Sequence, residues 1–75
     1  MEWRNRISID PEICHGMACI QGTRVPIAVI LDNLAAAISH REICETYGLN
    51  SDDIYAAIAY ASSLAKEQFV MLEAG

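Results

Sequence analysis

Cys14 stands directly before His15, and Cys19 follows shortly after. Residues of these types suggest two chemistries, a thiol activated by an imidazole or a soft-metal site. Adjacent ligands in one extended segment splay apart, and no Cys-x-x-Cys pair completes a tetrahedral set. A fourth ligand would have to come from Cys44, His40 or another subunit. The nucleophile reading fails on size, because a chain of 75 residues has too little material to wall a pocket around the pair. An odd number of cysteines without repeated spacing reads instead as reduced thiols, buried or incidental. Asp52-Asp53, the one pair of adjacent carboxylates, suits the positive end of a helix dipole better than acid–base work. The expectation is therefore no enzyme, no cofactor and no metal.

The other residues with chemistry to offer are basic. Arg4, Arg6 and Arg24 lie in the front third of the chain, and pairing of two short strands there would gather them. A β ribbon that carries arginines can enter a DNA groove. Thr23 and Arg24 also flank a helix start, where phosphate oxygens are favoured. The competing reading of Gly22-Thr23-Arg24-Val25-Pro26 is a structural turn: Gly22 at positive φ, Thr23 as a cap, Arg24 paired with an acid. Arg4, Arg6, Thr23 and Arg24 are thus the candidate DNA contacts, with expected binding weak.

These residues need elements to position them. Arg6-Ile7-Ser8-Ile9 alternates polar and apolar as a half-buried strand does, and Asp10-Pro11 ends it. Ala18-Cys19-Ile20-Gln21 is a second short strand, closed by Gly22. Pro26 suits the first turn of a helix, after which Ile27, Ile30, Leu31, Leu34 and Ile38 share one face. Ser39-His40-Arg41-Glu42 is a capping box, with Ile38 and Ile43 at the staple positions and Gly48 as the left-handed stop. Asn50 and Asp53, with Leu49 and Ile54, start a third helix in the same way. Its stripe of Ile54, Ile58, Ala61, Ala65, Phe69 and Leu72 predicts roughly 23 residues, about 34 Å. The resulting fold is mostly α: a single domain over residues 1–75, with a β arm over 1–25 and a three-helix helix-turn-helix unit over 26–75.

The third helix is where such a unit reads bases, and base readers are Arg, Lys, Asn or Gln. Its exposed leading positions are expected to be Ser51, Asp52, Asp53, Tyr55 and Ala56, with two acids that phosphates would repel, so any DNA contact falls to the arm. A net charge of −5 agrees and favours a basic protein partner. The 53% hydrophobic content exceeds what one small core hides, and the surplus predicts a homodimer with a partner surface. Tyr55, Tyr60, Leu64, Phe69 and Leu72 are the candidate partner contacts, because aromatics anchor interfaces. No apolar run approaches the length of a membrane span, and no secretory segment opens the chain, so a cytoplasmic protein is expected.

The stretch Gly16-Met17-Ala18-Cys19-Ile20-Gln21-Gly22-Thr23-Arg24-Val25-Pro26-Ile27 resembles the signature of a small bacterial family, domain of unknown function 433. Ile30-Leu31, Ser39, Glu42-Ile43, Tyr47, Leu49, Asp53-Ile54, Ala56-Ala57-Ile58 and Tyr60-Ala61 extend the likeness, which runs from Ile7 to Ala61. Three positions depart from the family: Ala37 where glycine is usual, Gly48 where proline is usual, and Asn50 where threonine is usual. The resemblance implies a homeodomain-like three-helix fold similar to VapB-type antitoxins. It also implies a role as the antitoxin that neutralises a PIN-like nuclease toxin, with DNA binding for autoregulation. The alternative is a homodimeric interaction module with no DNA role.

Overall fold

The structure, a computed structural model, describes residues 2–67. Two short strands, β1 (Ile7–Ser8) and β2 (Cys19–Ile20), pair antiparallel, Ile7 opposite Ile20 and Ser8 opposite Cys19. Three helices follow: α1 (Ile27–Ala35), α2 (His40–Tyr47) and α3 (Ser51–Glu67). The fold is thus mostly helical, with a small β arm ahead of a helix-turn-helix pair. Ribbons this short do not stand alone. This one is supported by packing: Ile20 is buried in the same core as Ile27, Ile30, Ile43, Ile54 and Ala57, and Ile7 packs against that core.

The helix boundaries follow from local chemistry. Ser39 Oγ accepts the Glu42 N–H at 3.1 Å and caps α2. The return bond from the Glu42 carboxylate, expected of a full capping box, is absent among the described residues, and Glu42 is exposed. At α3 the box is complete: Asn50 Oδ1 accepts from Asp53 N–H and Asp53 Oδ2 from Asn50 N–H, both at 3.1 Å. Gly48 stops α2 at φ +69°, and the Leu49 N–H reaches back to the Cys44 carbonyl.

The first helix is shorter than its apolar spacing predicts. It ends at Ala35, and Ile38 lies beyond a left-handed turn at Ala37, φ +64°. There the Ile38 N–H bonds the Asn33 carbonyl and the Ala37 N–H bonds the Leu34 carbonyl, the two bonds of a Schellman stop. Ile38 still reaches the core, but from the far side of the turn. Nor is α1 buried all round: Ala28 and Ala35 are exposed, while Ile27 and Ile30 face inward. Asn33 donates to the Val29 carbonyl at 2.8 Å and to Tyr47 Oη at 3.3 Å, tying α1 to α2.

One long-range feature carries no local signal. A 3₁₀ turn at Trp3–Arg6 lies against α3. The Trp3 ring meets Tyr60 edge-to-face at 6.2 Å, and Arg6 reaches Asp53 at 3.1 Å and Asp52 at 3.4 Å.

Candidate interaction surfaces

The four candidate DNA contacts do not converge on one face. Arg6 is half-buried and held by two carboxylates at the start of α3. Arg4 pairs with Glu2 at 3.3 Å, and its guanidinium sits 4.6 Å from the centre of the Trp3 ring. The Arg4 N–H and guanidinium beside Glu2 hold that carboxyl below its ordinary range. Thr23 is turned inward: its hydroxyl donates to the Ile20 carbonyl at 2.8 Å and accepts the Val25 N–H at 3.0 Å. With Gly22 at φ +81°, this is the structural turn that the sequence allows as one reading. Arg24 is exposed, and no carboxylate among the described residues pairs with it. Arg4, Arg6 and Arg24 line three separate surface depressions.

Among the described residues the unpaired charge is acidic on balance. Arg4, Arg6 and Arg41 are all paired with carboxylates. Glu12, Asp32 and Glu42 are exposed and make no ion pair among the described residues.

An apolar surface emerges elsewhere. Between the arm, α1 and α3 lies a groove of about 500 Å³ whose walls include Ile9, Met17, Ala28, Leu31, Tyr60 and Leu64. Ile9 is 61% exposed, Met17 49% and Leu64 40%, too open for core residues. Of the candidate partner contacts, Tyr60 and Leu64 line this groove. Tyr55 does not: it is half-exposed on another face of α3, edge-to-face with His40 at 5.8 Å. Phe69 and Leu72 lie outside the described residues. Sequence reasoning missed Ile9, Met17, Ala28 and Leu31. The usable signal was Met17 itself, a large apolar side chain in the loop after Asp10-Pro11, directly following Gly16, with no helical or strand face to bury it.

Among the described residues no group of three His, Cys, Asp or Glu could hold a metal ion. No described helix is long and apolar enough to cross a membrane.

A β arm packed on a three-helix unit, with an open apolar groove between them, defines a small, mostly helical domain of helix-turn-helix type. The chain matches, over residues 7–61, the family described as protein of unknown function DUF433, and it belongs to that family. It is similar to the crystal structure of a DUF433 member protein from Anabaena variabilis ATCC 29413, with 29% identity and a TM-score of 0.76. That likeness covers 85% of this chain and 64% of the other, so the chain spans under two thirds of the length of that protein. No curated protein matches the chain.

Proposed function

We propose that this protein is an antitoxin-like module that binds a protein partner, a PIN-like nuclease, through the groove between its arm, α1 and α3. The observation that supports this reading is the groove itself, about 500 Å³ and walled largely by apolar side chains that stay exposed. Its occupant is an amphipathic helix from a basic protein. Helix-in-groove docking suits the shape, and a chain of net charge −5 with most of its bases already paired attracts cationic partners over long range.

Direct DNA binding is the weaker half of the antitoxin role. The start of α3 presents Asp52, whereas Asp53 and Ala56, expected to be exposed there, are buried, and Arg6 is occupied in neutralising both carboxylates. Among the described residues the cations outside any ion pair are Arg24 on the arm and Lys66 near the end of α3. A homodimer built on Tyr55 and Ile58, exposed on α3 outside the groove, is the second reading and needs no DNA.

The test is co-expression with the product of the neighbouring gene, which this reading expects to be a PIN-like nuclease. A stable complex that Met17→Glu weakens supports the groove. A complex indifferent to Met17→Glu, or no complex at all, removes it.

A further inference from the structure

The chain holds ten acids against five bases, yet Arg4 and Lys66 meet in one depression of about 380 Å³ between the N-terminal turn and the second half of α3. Ala59, Ser62, Ser63 and Lys66 wall it from α3, because residues three and four apart share one side of a helix. Trp3 walls it from the turn, and no carboxylate of the described residues is among the walls. Arg4 is held in place: its Nη1 donates to Glu2 Oε1 at 3.3 Å, and its guanidinium lies 4.6 Å from the centre of the Trp3 ring. Glu2 itself lines the neighbouring depression around Arg6. It engages part of the guanidinium fork and leaves the other donors of Arg4 open. Lys66 is exposed and outside any ion pair among the described residues. Ser62 is exposed as well, whereas the Ser63 hydroxyl is spent on the Tyr60 carbonyl at 2.7 Å. Trp3 is braced edge-to-face on Tyr60 at 6.2 Å, which fixes an apolar wall beside the cations. The place lies toward the negative end of the α3 dipole, so its attraction for an anion comes from side chains alone.

We propose that this depression binds a phosphomonoester with a flat organic part, the chemistry of a nucleoside monophosphate. The phosphate sits between the Arg4 guanidinium and the Lys66 ammonium, with the Ser62 hydroxyl as a further donor. The ring lies against Trp3 and Ala59, where an aromatic wall favours a planar group. A phosphomonoester carries roughly two negative charges at neutral pH and a phosphodiester a single one, so a pair of cations selects the former. The source is a free nucleotide or the phosphorylated end of a strand. The site is separate from the apolar groove and does not depend on the partner reading above.

Trp3 is the only tryptophan of the chain, so its fluorescence reports on the site directly. The full chain is titrated with thymidine monophosphate, with thymidine, and with oligodeoxythymidine carrying or lacking a terminal phosphate. The expected result is a saturable change with the monophosphate and with the phosphorylated strand, and none with thymidine or the unphosphorylated strand. Binding of the monophosphate more tightly than the phosphorylated strand assigns the site to free nucleotides; equal or weaker binding assigns it to strand ends. Lys66→Gln, at an exposed position and with little change in helix propensity, should weaken binding by roughly tenfold, the loss of one charged hydrogen bond. Lys66→Arg should restore it, with the helical circular dichroism of both variants unchanged. The proposal is overturned if the monophosphate leaves the fluorescence unaltered, or if thymidine alters it as strongly. It is equally overturned if the two strands bind alike, or if Lys66→Gln binds the monophosphate as the native chain does.

Discussion

Ala37 holds φ +64° at the position where a Schellman stop ordinarily takes glycine, whereas Gly48 holds φ +69° at the equivalent end of α2. The left-handed region costs a residue with a Cβ on the order of 1 kcal/mol, so the two stops predict opposite responses to exchange. Ala37→Gly should stabilise the fold by about 1 kcal/mol, less a small loss from the freer unfolded chain. Gly48→Ala should destabilise it by about the same amount. A Cβ at Gly48 would meet nothing within 4 Å, so the second change measures backbone conformation alone. Both are read as shifts in the midpoint of chemical denaturation, and equal effects of the same sign would refute the account. Gly48 was legible as a stop because glycine announces one. Ala37 was not, because alanine favours helix and Ile38 continues the apolar spacing of α1. The left-handed pair Cys14-His15, at φ +53° and +55°, was hidden as well, because neither residue type marks a positive φ.

The caps of α2 and α3 join residues three apart, and such local chemistry can be read along a sequence. The docking of the N-terminal turn on α3 cannot. It joins Arg6 to Asp53 across most of the chain, and no periodicity in either segment marks it. The arginines of the candidate DNA surface are in part what fastens the arm. Asp53 has a further role in the α3 cap, so Arg6 carries the arm's share alone. Replacing Arg6 with Met keeps its apolar stem and removes both ion pairs. With Arg6 half-exposed and Asp52 open to solvent, the destabilisation should be about 1 kcal/mol. It should be local as well. Amide exchange should quicken at Gln21, whose N–H bonds the Arg6 carbonyl at 2.7 Å, and stay slow at Asp53, still bonded to Asn50. Unchanged exchange at Gln21 would show that the arm is held by Trp3 and Tyr60 instead.

The molecule as a whole carries more acid than base and more apolar surface than its core uses. The family and the three-helix fold were legible from the Gly-Thr-Arg-x-Pro element, the caps and the helical spacing. The groove was not, because its walls come from three separate elements: Ile9 and Leu31 read as the inward faces of a strand and a helix, and only Tyr60 and Leu64 read as partner contacts. The charge distribution predicts weak DNA binding confined to the arm. Arg4→Ala with Arg24→Ala should abolish it, and the slope of log affinity on log salt should flatten by about 0.9 for each phosphate no longer neutralised. Asp52→Asn should strengthen it; an arginine double variant with unchanged affinity would acquit the arm. Light scattering should give twice the 8.2 kDa chain mass, and a clean monomer at micromolar concentration would contradict the dimer. The central claim is the groove as the seat of a protein partner, and titration calorimetry with a PIN-like nuclease, the partner this reading expects the neighbouring gene to encode, tests it most directly. Met17→Glu with Leu64→Glu places two charges where apolar burial contributes roughly 1.5–3 kcal/mol per side chain. The account predicts tight binding by the native chain and at least a hundredfold weakening, on the order of 2.7 kcal/mol, in the double variant with its helical circular dichroism intact. Equal affinity for the two chains, or no heat with the native one, would contradict it.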